Sequence, residues 1–180
     1  FVFVPEYGVL KGIYFAVFHA ISAFCNAGFD VLGNNSLIGY QTNIIINLVI
    51  PGLIIMGGLG FIVWFDVMET IKKEYKKPSK FNYRHLFKSF SLHTKIVLIM
   101  TSILLFIGMV LFYLCEFYNP DTIGKLNFLD QLQVSFFHSI TLRTAGFASV
   151  DIASLYPYTK FMMCIIMFIG GSPAGTAGGI

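Results

Sequence analysis

The stretch Phe137-His138-Ser139-Ile140-Thr141-Leu142-Arg143-Thr144-Ala145-Gly146-Phe147 has a near-copy upstream, Phe18-His19-Ala20-Ile21-Ser22-Ala23-Phe24-Cys25-Asn26-Ala27-Gly28-Phe29. Both run Phe-His-small-Ile-hydroxyl and end in polar-Ala-Gly-Phe, the later copy one residue shorter between its His and its Gly. A repeat of this kind constrains architecture before any single motif does. Each copy predicts a short apolar helix, Gly12 to Phe24 and Leu129 to Leu142, that stops at a glycine turn. Helices of roughly 13 residues span about 20 Å, short of the roughly 30 Å of a bilayer's hydrocarbon. That length suits a segment that enters a membrane, turns and returns. Non-helical backbone survives at such depth only where protein buries it or water reaches it. Glycine gives the turn dihedrals that side chains forbid. Backbone carbonyls lining such a path can replace the water around a cation.

Composition agrees with a membrane setting. The chain is 56% hydrophobic and 12% charged, with mean hydropathy +0.76, whereas soluble domains carry about 25% charged residues. The net charge of +3 is no nucleic-acid signal, because eight of the twelve basic residues lie between Lys72 and Lys95. Such clustering marks a cytoplasmic connector and orients the helices beside it. Its basic residues attract anionic lipid or a soluble partner. Cys25, Cys115 and Cys164 are odd in number, lack metal spacing and read as small apolar fillers. The missing initiator Met and signal-peptide layout predict a fragment.

In chain order, Phe1 to Val4 predicts the outer end of a membrane helix, and residues 1–71 then carry a pore helix, its turn and a second helix. Ile44 to Phe65 predicts the first full span. Its Pro51-Gly52 and Gly57-Gly58-Leu59-Gly60 read first as close helix packing, with a hinge or pathway lining as the alternative. Residues 72–95 form the connector. Residues 96–180 hold the next unit: a span from Ile96 to Cys115, the second pore helix and turn, and a helix from Tyr158 that breaks at Gly170. Glycine and proline disfavour a helix interior by about 1 and 3 kcal/mol against alanine, so Gly170-Gly171-Ser172-Pro173-Ala174-Gly175-Thr176-Ala177-Gly178-Gly179 predicts an interruption at membrane depth. Asn34-Asn35-Ser36 matches a glycosylation sequon, a pattern common by chance.

The two turns, with their flanks and the glycine run, resemble the degenerate filter signatures of the Trk/Ktr/HKT potassium transporter family, nearest its bacterial Ktr-type membrane subunit. The resemblance covers essentially the whole chain. It implies an all-α membrane fold of repeated helix–pore loop–helix units with pseudo-fourfold symmetry. It implies a selectivity filter at Cys25, Asn26, Ala27, Gly28 and Phe29 and at Arg143, Thr144, Ala145, Gly146 and Phe147. Potassium would be held by backbone carbonyls near Asn26, Ala27, Gly28, Thr144, Ala145 and Gly146, with sodium as the alternative ion. Gly170 to Gly179 would be the gating loop below the filter. The resemblance further implies a homodimer in a bacterial plasma membrane, multi-pass, beside a cytosolic ring of regulatory subunits that bind the nucleotide themselves. It implies no organic cofactor, no nucleic acid and no enzyme activity. A related ATPase-linked potassium-importing subunit shares the pore plan and is the alternative within that class.

Several side chains admit two readings. Pore helices that aim their C-termini at a cavity bring about half an elementary negative charge each. Arg143 would repel a cation there, so it reads as a brace behind the turn, paired with carbonyls or with Glu116 or Asp30, since intramembrane charges are usually paired. His19 and His138 recur at matching positions and read as hydrogen-bonding behind the turns, with titration near pH 6.5 the alternative. Asp30 and Asp151 follow the turns, either to concentrate cations or as ordinary loop carboxylates. Ser172 evokes an intramembrane hydrolase, but a nucleophile needs a base within reach, and its surroundings in sequence offer none.

Overall fold

The computed structural model describes residues 2–33, 36–75 and 87–179. Lys76, Lys77, Lys80 and Arg84 of the basic connector, and Asn34 and Asn35 of the sequon, lie outside the described residues. Among the described residues every regular element is helical: α1 (Val4–Tyr7), α2 (Val9–Phe24), α3 (Ile44–Gly58), α4 (Phe61–Tyr75), α5 (Leu92–Glu116), α6 (Phe128–Thr141) and α7 (Pro157–Ile169). Short 3-10 turns, Ile38–Tyr40 and Ile152–Ser154, follow the two Ala-Gly-Phe turns.

The two short helices form where the repeat predicts them. α2 starts three residues earlier than expected because Gly8, at φ +78°, turns the chain sharply and its carbonyl accepts from Gly12 N at 2.8 Å. Among the described residues α5 is the one single helix long and apolar enough to cross a membrane by length and composition, and α3 with α4 pass the same test only when taken together. The 25 residues of α5 span about 37 Å. Ser91 Oγ caps its start by accepting from Thr94 N at 3.2 Å, serving a donor the first turn leaves free.

The expected span from Ile44 to Phe65 is sharply bent. α3 and α4 meet at 94°, with Gly60 at φ +85° in the corner. Close approach accompanies the break. A Cβ added at Gly57 would lie 1.9 Å from Phe24 O, so α3 ends jammed against the C-terminus of α2. A bend strands backbone groups that must find partners when water is excluded. Here Trp64 Nε1 donates to Met56 O at 2.8 Å. Thr176 N donates to Gly57 O at 3.2 Å, and Phe61 N donates to Ala174 O at 3.2 Å. Ser172 Oγ sits 2.8 Å from Gly58 O and 2.7 Å from Leu59 O. The bend and the 170–179 run therefore complete each other, and the small residues serve packing and bending together.

Two buried clusters organise the rest. One joins both repeats: Ile46, Ile50 and Ile54 of α3 meet Phe137 and Ile140 of α6 and Ala145 and Phe147 of the second turn. The other, with Phe112, Val134, Leu142 and Met163, lies within the second repeat. α5 and α6 approach closely at Gly108, where Ser139 Oγ donates to Leu105 O at 2.6 Å. Large apolar side chains stand exposed along α2, α3, α5 and α7, among them Leu10, Ile44, Leu48, Phe106 and Phe161. An apolar exterior of that extent is what a hydrocarbon solvent asks for.

Candidate functional site

α2 and α6 each deliver the chain into an Ala-Gly-Phe turn built on one plan. Ala27 N donates to Ser22 O at 2.9 Å, and Ala145 N donates to Thr141 O at 3.0 Å. These are equivalent repeat positions, so the extra residue of the first copy is absorbed inside a wider hydrogen-bonded ring. Asn26 and Gly28 take left-handed φ of +50° and +69°, and Thr144 and Gly146 take +61° and +86°. A non-glycine residue held left-handed is strained, and such strain gathers at functional sites.

The hydroxyl of the repeat has a matching task in both copies. Ser22 Oγ donates to Phe29 O at 2.7 Å, and Thr141 Oγ1 donates to Phe147 O at 2.7 Å. α2 and α6 thus each hold the far end of their own turn. The turns also touch. A Cβ added at Gly28 would lie 2.2 Å from Ala145 O and 2.8 Å from Gly146 Cα. Asn26 Nδ2 donates to Arg143 O at 3.2 Å. Beyond them, Leu37 N donates to Ala148 O at 3.0 Å, tying the two exit loops. The copies differ in surroundings: Phe147 is 1% exposed and Phe29 70%.

The 170–179 segment lies against both turns. Gly170, at φ +64°, ends α7, and Gly171 N donates to Gly178 O at 2.8 Å, closing the segment on itself. Thr176 Oγ1 lies 2.9 Å from Phe24 O and 3.3 Å from Asn26 Oδ1. Gly178 N donates to Thr144 Oγ1 at 2.7 Å. Cys25 is exposed, and the remaining expected turn residues are gathered here with the segment. Ser172's hydroxyl serves the α3 carbonyls rather than a general base.

Three side-chain expectations are corrected. Arg143 is buried, but Nη1 has no hydrogen-bond partner among the described residues, and neither Glu116 nor Asp30 pairs with it. Asp30 Oδ1 accepts from Leu32 N at 3.3 Å. Glu116 instead accepts from Asn119 Nδ2 at 2.6 Å, Thr122 Oγ1 at 2.9 Å, Tyr156 N at 3.1 Å and Thr159 Oγ1 at 2.5 Å. It is fully buried and ties the end of α5 to the start of α7. A carboxylate at a helix C-terminus opposes the helix dipole, so the lone Glu closing an apolar run was the sequence signal for this hub. Both histidines pack as rings, and of the two only His19 hydrogen-bonds among the described residues, within its own helix. His138 stacks on Phe112 at 4.7 Å and 8°, and neither of its ring nitrogens has a partner. His19 stacks on Phe3 at 5.4 Å, with Nδ1 2.6 Å from Phe15 O of its own helix.

Asp151 is spent locally. Its Oδ1 accepts from Ala153 N and its Oδ2 from Ser154 Oγ, both at 2.9 Å. Those bonds, the backbone one foremost, hold its carboxyl below the ordinary range. It reads as an ordinary loop carboxylate that shapes its own turn.

A family model described as TrkH, cation transport protein, matches residues 3–180. The chain belongs to the TrkH family. It is 42% identical over 179 residues to the potassium/sodium uptake protein NtpJ of Enterococcus hirae, covering 99% of this chain and 36% of that protein. It is 43% identical over 177 residues to Ktr system potassium uptake protein B of Bacillus subtilis, covering 98% and 36%. Over 165 residues it is 27% identical to the cation transporter HKT1;1 of rice, Oryza sativa subsp. japonica, covering 86% and 29%. This TrkH-family chain thus spans about a third of the length of those relatives.

Proposed function

We propose that the two turns form part of a carbonyl-lined selectivity filter through which the full protein takes up potassium, in a pseudo-fourfold ring completed by the rest of its length. One observation carries this reading. Two repeat-related turns, each with left-handed residues flanking an alanine and each held by its own helix hydroxyl, meet backbone to backbone. Alternating hands present successive carbonyls to one side, and carbonyls so fixed compensate an ion for its lost water. The ion contacts are the carbonyls near Asn26, Ala27, Gly28, Thr144, Ala145 and Gly146. The names of the bacterial relatives support potassium, and that of NtpJ adds sodium as the alternative.

The 170–179 segment is the gate in this reading. Its contacts with Phe24, Asn26 and Thr144 support that role, because a segment bonded to both turns must shift before an ion can leave them. Regulation by a cytosolic nucleotide-binding ring and assembly as a homodimer complete the proposal. Their support is family membership and the word system in the name Ktr system potassium uptake protein B. Uptake of rubidium and of sodium by the full-length protein in liposomes tests the reading. Saturable rubidium entry that potassium suppresses better than sodium is expected. Entry indifferent to the competing cation would overturn it.

A further inference from the structure

Between α3 and α6 lies a cavity of about 360 Å³ walled by Leu48, Gly52, Ile55 and Phe136, with two amides among these apolar residues. Asn47 is 4% exposed. Its Nδ2 donates to Gln41 O at 2.7 Å, which fixes the amide orientation and leaves the buried Oδ1 as an acceptor with no donor. Gln133 contributes a buried Nε2, and among the described residues neither it nor that Oδ1 has a partner. A Cβ added at Gly52 would meet nothing within 4 Å, so the wall is open there. Ile44 and Leu48, both 70% exposed, continue it onto the apolar outer face of α3.

An orphaned donor and an orphaned acceptor are costly where hydrocarbon replaces water. The volume falls in the range of ligand pockets, roughly 300–1,000 Å³. Its occupant must be long and apolar, must arrive from the membrane, and must carry an acceptor and a donor near its polar end. A glycerolipid with a hydroxylated headgroup has all of these. We propose that this groove binds one phosphatidylglycerol molecule: an ester carbonyl accepts from Gln133 Nε2, a headgroup hydroxyl donates to Asn47 Oδ1, and an acyl chain lies along Leu48, Gly52 and Ile55. Both amides lie near the starts of their helices, and α6 continues from Gln133 into the second turn.

The test uses the full-length protein in nanodiscs of mixed phosphatidylglycerol and phosphatidylcholine, released into native mass spectrometry. Wild type is expected to retain one phosphatidylglycerol under activation that strips phosphatidylcholine, which lacks the hydroxyl donor. An ether-linked phosphatidylglycerol, lacking the carbonyls, is expected to be retained at least fivefold less. The paired change Asn47→Leu with Gln133→Leu is expected to reduce phosphatidylglycerol retention about tenfold. Equal retention of all three lipids by wild type would overturn the proposal whether or not the variant folds. So would a density map of wild type in which Asn47 and Gln133 bond each other or another segment of the protein. Undiminished retention by the folded double variant would do the same.

Discussion

Gly28→Ser should be the most damaging small change in the two turns, and its size follows from geometry. The residue stands at φ +69°, and an added Cβ would sit 2.2 Å from Ala145 O, where ordinary contact begins at 3.4 Å. The shortfall, 3.4 less 2.2, is about 1.2 Å, and the atom in the way is backbone of the facing turn, which no rotamer change can clear. The left-handed conformation adds about 1–2 kcal/mol for any residue with a Cβ. Gly146→Ser makes the comparison, because its Cβ would lie 3.3 Å from Gly28 Cα at φ +86°. It meets the conformational penalty with almost no collision. A discrimination between ions that loses about 1.4 kcal/mol falls tenfold. Gly28→Ser in the full-length protein is therefore expected to lower the rubidium-to-sodium uptake ratio tenfold or more, and Gly146→Ser by less. Tracer uptake into liposomes, normalised to folded protein by its size-exclusion peak, reads both. A Gly28→Ser ratio within twofold of wild type would refute the reasoning, as would a larger loss at Gly146.

Other expectations follow from the same contacts. Thr141→Val strips the donor from Phe147 O in a buried setting and should cost about 1–3 kcal/mol, seen as a lower thermal midpoint and weaker rubidium affinity. Ser22→Ala, beside the exposed Phe29, should cost less, and a reversed order would count against the matched brace. Thr176→Val removes the bond to Phe24 O and should raise flux by loosening the proposed gate. It is a cleaner test than deleting 171–178, which would also strip partners from Gly57, Gly58, Leu59 and Phe61; a fall in flux in folded protein would tell against gating. Glu116→Gln keeps one acceptor oxygen but turns the other into an NH2 that faces two donors, so it should lower the thermal midpoint while leaving ion discrimination unchanged. Asp151 has a depressed carboxyl pKa, so its contribution is full above the ordinary value of 3.8 and is lost as pH falls through the lower folded value. The protection factor of the Ala153 amide, with the intrinsic exchange rate at each pH divided out, should therefore fall only on acidification below that range.

The repeat placed the short helices and the two glycine turns, and the glycine-rich run from Gly170 placed the break, because each depends on local dihedral preference or on a length too short to cross a bilayer. The repeat also marked Ser22 and Thr141 as equivalent hydroxyls without saying what they hold. Tertiary structure decided everything that depends on which backbones meet. At the right-angle corner from Gly57 to Gly60, Phe24 O occupies the space a side chain at Gly57 would need, and the distant 170–179 segment supplies hydrogen bonds to the groups the corner strands. Glu116 serves Thr159 and Tyr156 instead of Arg143 for a similar reason: sequence counts charges, but folding chooses partners by distance and by which donors lose their water. Local chemistry fixes where a chain can turn, and only its long-range contacts fix what each turn touches.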